Sequence, residues 1–366
     1  MGTPFSAAGA GRGSIVASVV VPTFNSARWI GEALASIRAQ TLPDIEIIVV
    51  DDASTDETAE VVSSVDDPRV RLIRLERNCG AAAARNRGID AARGEFVALM
   101  DSDDVALPHW LERQVKFLRS NPSCALVGAW IKAFGARDGI WTTSEAHEYI
   151  KADLLFRCAM NQNTIVFRRN QFRELGLRYD TALRVAEDYD LWTRCAEVVR
   201  MHNTQEVLVR YRIHTSNSMV TQKPLMRRIS RDIRARQLRK LGLSPSEQEL
   251  DLHDALGEYG PSGPRERAFD IDALERWLIK LHRANADSAY VPSNVLSLLL
   301  YEFWRRCCKP QGGVMSVPVL RFLTSELAAP VSPARKVKDI VKMVVGGHLY
   351  SLPRAPDLAA GEPELG

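Results

Sequence analysis

Residues 78–104 read NCGAAAARNRGIDAARGEFVALMDSDD. The first part, Ala81 to Ala92, is dominated by alanine, the residue that loses least on entering a helix. The second part, Glu95 to Met100, is an apolar run of strand length that stops abruptly on Asp101-Ser102-Asp103-Asp104. A helix running with little linker into a buried strand is half of a βαβ unit and predicts a parallel sheet.

Toward the N-terminus the alternation repeats. Ser18 to Val21 and Ile45 to Val50 are β-branched runs that read as buried strands, and Val70 to Leu75 is a third. Between them, Arg28 to Gln40 sets Trp29, Ile30, Ala33, Leu34 and Ile37 on one helical face. Ser54 with Glu57 three residues later predicts a capping box opening a helix that runs to about Ser64. Pro108 opens a further helix, since proline is tolerated in a first turn. Ligands of such sheets bind beyond the carboxyl ends of the strands. Asn25, Asp51-Asp52 and Asp101 to Asp104 all fall there.

Toward the C-terminus the pattern becomes mixed. Strands are predicted at Ala125 to Ile131, Thr164 to Arg168 and Val207 to His214, with helices near His147 to Phe156 and Asp188 to Glu197. The fold class is α/β with a Rossmann-like mixed sheet over residues 15–220. A mainly helical region, 221–351, follows, with loose tails expected at 1–14 and 352–366.

Composition bounds the function. The chain has 366 residues, 46% hydrophobic and 25% charged, enough for a large core. A net charge of +3 does not point to nucleic acid. Lys223 to Lys240 carries eight basic residues against Asp232 alone, either a solvated helix face or a contact with an anionic surface. Six scattered cysteines with no C-x-x-C pair argue against a zinc ribbon or a disulfide framework and fit a reducing compartment. No run approaches the ~20 apolar residues of a membrane span. The N-terminus lacks a signal-peptide pattern, so the catalytic part is expected to face the cytoplasm.

Alternate carboxylates at a strand end, Asp101 and Asp103, can converge on a hard cation such as Mn²⁺ or Mg²⁺. Asp51-Asp52 either bind a ligand or cap the next helix. Glu187 and Asp188 open a predicted helix whose N-terminus favours their charged forms. Arg212 either snorkels or binds phosphate, Ser216 and Ser218 contact substrate or cap a turn, and Cys79 is a packed thiol.

Five motifs in order, VVVPTFN (Val19 to Asn25), IIVVDDASTDET (Ile47 to Thr58), the stretch from Asn78 to Asp104, AEDYDLW (Ala186 to Trp192) and YRIH (Tyr211 to His214), resemble the signature of family 2 glycosyltransferases. The resemblance implies a GT-A fold and inverting transfer from a nucleotide diphosphate sugar, most often a UDP-sugar. It implies that Pro22, Thr23 and Asn25 line the nucleoside pocket and that Asp52, assisted by Asp51, accepts from the base. Gly80 would let the backbone approach closely, and Arg85 would sit near the nucleotide. Asp101 would contact ribose or metal-bound water, with Ser102 beside it. Asp103 would ligate the metal, with Asp101 and His214 contributing. Asp188 would be the catalytic base, with Glu187 as the backup. The acceptor is expected to be a hydroxyl of a glycan or lipid-linked glycan in surface polysaccharide synthesis, selected by Ala133 to Arg169 and the C-terminal helices. A Q-x-x-R-W motif is missing, which favours addition of single sugars. Met226 to Leu241 and Ala334 to Val345 read as amphipathic basic helices for peripheral membrane contact or a homodimer. Nucleotidyltransferases carry a glycine-rich basic loop after strand one, where Pro22-Thr23-Phe24-Asn25 stands here. A non-catalytic nucleotide-sugar-binding or partner-binding protein is the other alternative.

Overall fold

The computed structural model describes residues 15–215, 217, 221–258, 270–308, 324–336 and 338–339. Ser216, Ser218, both tails and most of the basic segment after Lys336 lie outside them.

The first four strands are β1 (Ala17–Thr23), β2 (Ile45–Asp51), β3 (Val70–Arg74) and β4 (Phe96–Leu99). Helices α1 (Ile30–Arg38), α2 (Thr58–Ser63) and α3 (Ala81–Ala91) connect them. All four strands pair in parallel, with β1 between β2 and β4. Every residue of β1 and β2 is buried, which is why both read as continuous apolar runs. Gly88 interrupts the alanine-rich helix for a packing reason. A Cβ there would lie 2.3 Å from Val20 Cγ1, so α3 rests directly on β1.

The second half of the sheet is mixed. It comprises β5 (Val105–Ala106), β6 (Cys124–Gly135), β7 (Gly139–Trp141), β8 (Val166–Arg168) and β9 (Arg200–Ile213). Four helices accompany these strands, namely α4 (Trp110–Ser120), α5 (His147–Asp153), α6 (Arg169–Glu174) and α7 (Glu187–Val198). The order across the sheet is β3-β2-β1-β4-β8-β6-β9-β5, with β7 paired to β6. β8 is antiparallel to both β4 and β6, which joins the parallel half to the β6–β9 half. One apolar cluster lies on each face, around Val20, Phe167 and Trp192 on one and around Val19, Trp110 and Val127 on the other.

The chain divides into two compact units between Gln237 and Leu238, within the basic helix Lys223–Lys240. The second unit holds helices Glu247–Glu258, Ile271–Ser288 and Ser293–Cys307. Trp277, Leu278, Leu281, Leu300, Tyr301 and Trp304 form its core. Cys307 and Cys308 close the helix Ser293–Cys307, and burial pushes both thiols up, Cys307 to about 12, which fits packed rather than reactive sulfur. Among the described residues no helix is long and apolar enough to cross a membrane.

Candidate active site

The loops after β1, β2 and β4 are tied to one another by polar contacts. The Asn25 backbone N–H donates to Ser54 Oγ at 2.9 Å, and the Thr55 N–H returns a bond to Asn25 Oδ1 at 2.9 Å. Ser26 Oγ and Ser102 Oγ are 2.9 Å apart. Ser54 is therefore not a helix cap. Its hydroxyl is taken by Asn25, and α2 begins at Thr58, whose N–H donates to Asp56. Non-glycine residues at positive φ gather in these loops and before α7, at Asn25 (49°), Ala53 (60°) and Ala186 (55°). Such backbone costs free energy and is held only where its surroundings determine it.

Together the loops form one wall of a cavity of about 730 Å³. Pro22, Thr23, Asn25, Asp52, Arg85, Asp101, Ser102, Asp103, Asp188 and His214 all line it. Thr23 Oγ1 is buried there without a partner among the described residues, an unspent group of the kind a ligand satisfies. Asp52 accepts from the N–H groups of Cys79 and Gly80, both at 2.7 Å, and so fixes the turn that opens α3. Gly80 (φ 92°) shapes that turn and is not part of the wall. Asp51 lies behind it. One oxygen accepts from the Ser54 N–H at 3.0 Å and the other meets Arg74 Nε at 3.2 Å, so it organises the loop instead of facing the cavity.

Arg85 is the buried centre of the charge network. Its guanidinium spans Asp101 at 2.8 Å and Glu187 at 2.5 Å. Burial opposes its charge, but the two carboxylates outweigh that and hold it firmly protonated. Glu187 is thereby committed to Arg85.

Asp188 is half-buried and lines the cavity. Its carboxyl is raised, not lowered as a helix N-terminus alone would have it. Burial, reinforced by the negative charge of Glu187, pushes the Asp188 carboxyl up to about 6, although the Tyr189 N–H and Arg85 pull the other way. Cys158 Sγ lies 3.8 Å from Asp188 Oδ2, and burial with that carboxylate raises the thiol well above its ordinary value.

Asp103 Oδ2 meets His214 Nε2 at 2.9 Å. Asp101 does not join them, because Arg85 holds it. Among the described residues no three His, Cys, Asp or Glu side chains converge as a metal site. The donor chemistry nevertheless fits a cation. Burial and Asp101 raise the Asp103 carboxyl, the mark of negative charge crowded without enough compensation. Asp104 is structural, taking the Asn163 amide and the Arg212 N–H at 2.5 and 2.7 Å. Arg212 is not a spare phosphate ligand. Its Nε donates to Asp103 O at 2.8 Å, its NH2 pairs with Glu32 at 2.5 Å, and its guanidinium stacks on Trp29.

Trp141, Cys158, Met160 and Asn161 also line the cavity, inside the stretch Ala133 to Arg169 that the sequence marks only as acceptor-selecting, and Tyr211, the first residue of YRIH, joins them. β7 and β9 carry Trp141 and Tyr211, and the segment after α5 carries the other three.

Residues 18–181 match the profile of Glycosyl transferase family 2. Succinoglycan biosynthesis protein ExoO of Rhizobium meliloti (strain 1021) is 38% identical over 186 residues, 47% of this chain and 53% of that protein. Putative glycosyltransferase EpsE of Bacillus subtilis (strain 168) is 33% identical over 203 residues, 53% of this chain and 72% of that protein. The crystal structure of S. aureus TarS 1-349 in complex with UDP superposes with a TM-score of 0.52 at 23% identity, covering 80% of this chain and 88% of that one. That likeness establishes the GT-A fold of the sheet and its helices. With the five motifs in order around one acid-lined cavity, the chain belongs to glycosyl transferase family 2.

Proposed function

We propose that this glycosyltransferase moves a sugar from a UDP-sugar to a hydroxyl of a glycan or lipid-linked acceptor, with inversion, in the synthesis of a surface polysaccharide. The observation that carries the reading is the pairing within one cavity of Asp188, held near pKa 6, with the acidic loop Asp101 to Asp103. A sugar hydroxyl is a poor nucleophile, and a carboxylate near the working pH is suited to take its proton as the new bond forms. Pro22, Thr23, Asn25 and Asp52 would hold the nucleoside, with Asp51 and Gly80 shaping their loops. Asp103 and His214 would hold Mn²⁺ or Mg²⁺, with Asp101 and Ser102 beside it. The cation would neutralise charge growing on the departing diphosphate. Relatives support the setting, since ExoO is named for succinoglycan biosynthesis and TarS was solved with UDP.

Nucleotide release from UDP-glucose, UDP-galactose, UDP-N-acetylglucosamine, GDP-mannose and dTDP-rhamnose, each with Mn²⁺ and with EDTA, tests the reading. One UDP-sugar should turn over, only with metal. Its rate should fall about tenfold per pH unit below about 6, because protonated Asp188 cannot accept a proton. A flat profile from pH 5 to 8 would remove Asp188 as the base, and turnover of none of the five would favour the non-catalytic alternative.

A further inference from the structure

The cavity has two unlike walls. The loops after β1, β2 and β4 make a charged wall. A second, more apolar part of the lining comes from β6, β7 and β9, with Ile131, Trp141 and Tyr211, together with Met160. Trp141 sits on the three-residue edge strand β7, where alternation turns Ile140 to solvent, 56% exposed, and Trp141 to the cavity. Its ring rests against Tyr211, with centroids 5.4 Å apart and planes at 44°. Among the described residues the Trp141 indole N–H has no partner, as at the buried Trp192, Trp277 and Trp304, but of these four only Trp141 lines the cavity. Asn161 gives its amide to Ala129 O at 2.8 Å, and its own oxygen, with no partner among the described residues, is left for a ligand.

Tyr211 lines the same cavity as Asp101, Asp103 and Asp188. Burial first, and then the carboxylates of Asp104, Asp101, Asp103 and Asp188, raise its phenol.

We infer that Trp141, backed by Tyr211, is the platform on which a sugar ring of the acceptor stacks. This rests on the glycosyl-transfer reading above. An in-line displacement brings the acceptor hydroxyl to the side of the donor sugar away from the diphosphate. The acceptor therefore approaches on the side of the proposed base Asp188, whose carboxylate lies 3.8 Å from Cys158 in the segment that also brings Met160 and Asn161 to the cavity. A pyranose ring has an apolar C–H face and a rim of hydroxyls. An aromatic face with an unspent N–H at its edge and an amide nearby matches both parts. An isoprenoid chain would have no use for those polar groups.

The test uses the full chain labelled with 5-fluorotryptophan, saturated with UDP and Mg²⁺, with Trp141→Phe assigning the resonance. Methyl glycosides of glucose, galactose, N-acetylglucosamine and rhamnose are titrated, and decyl phosphate stands in for the lipid. At least one glycoside should shift the Trp141 resonance saturably and leave the other indoles in place. Trp141→Ala should weaken that glycoside ~5–10-fold by saturation-transfer NMR, Trp141→Phe less, and UDP affinity should stay within about twofold. Silence of Trp141 toward all four glycosides, or a response to decyl phosphate alone, overturns the platform. UDP binding measured in the same samples separates the two ideas. UDP bound with Trp141 silent defeats the platform only, while no UDP binding defeats the donor reading beneath it.

Discussion

Asp188→Asn is expected to lower sugar transfer ~10²–10⁴-fold, the range that general-base catalysis contributes, while UDP affinity stays within about twofold. The substitution keeps shape. Asn can still accept the Tyr189 N–H bond, 2.7 Å long in the native chain, so α7 should begin where it does now. What is lost is the basic oxygen. The same variant should not be less stable at pH 8. A carboxyl raised to about 6 binds its proton more tightly in the folded than in the unfolded chain, so its ionisation above that pH works against folding. A neutral amide removes that opposition. Thermal unfolding at pH 8 together with a transfer assay reads both effects. A melting point well below wild type would mean that Asp188 is structural, and near-normal transfer would mean that the base lies elsewhere.

Arg85→Ala is expected to destabilise the fold by ~3–5 kcal/mol, the cost of removing one partner from a buried ion pair. Arg85 is 6% exposed, and its loss leaves Glu187, 9% exposed, without its partner. Urea unfolding checks this. Arg85→Lys should fall between, because one ammonium cannot span Asp101 and Glu187 as the planar fork does. Arg85 also pulls the Asp188 carboxyl down, so in Arg85→Ala the acid limb of the transfer profile should move to higher pH, and in Arg85→Lys, which keeps the positive charge, it should move less. Wild-type stability in Arg85→Ala would show that the charges rearrange freely, and an unmoved acid limb would show that Arg85 does not act on the base.

Strands β1, β2 and β4 were readable because they are buried on both faces and so appear as largely apolar runs, whereas the edge strand β3 is only half-buried and showed through Val70, Leu72 and Ile73. The rest was hidden for identifiable reasons. β9 starts at Arg200, seven residues before the strand expected at Val207, because its polar first half is held by pairing to β6 instead of by burial. β5 and β7, of two and three residues, are too short for any period to register. Ser54 satisfied the local pattern of a cap, but Asn25, distant in sequence, claimed its hydroxyl. At the site, the acids and His214 were visible as motifs, whereas their division of labour was not. Asp101 and Asp103 look equivalent in sequence, and only the position of Arg85 sends one to a salt bridge and leaves the other with His214. The raised carboxyl of Asp188 comes from burial first and then from Glu187, and that burial is set by tertiary packing that the local sequence does not display.

The most direct measurement is calorimetric titration of UDP into the full chain with Mn²⁺, with EDTA, and into Asp103→Ala with Mn²⁺. The account predicts binding by the native chain with Mn²⁺, weakened at least ~10-fold both by EDTA and by loss of the Asp103 carboxylate. Equal UDP affinity in all three titrations would contradict it.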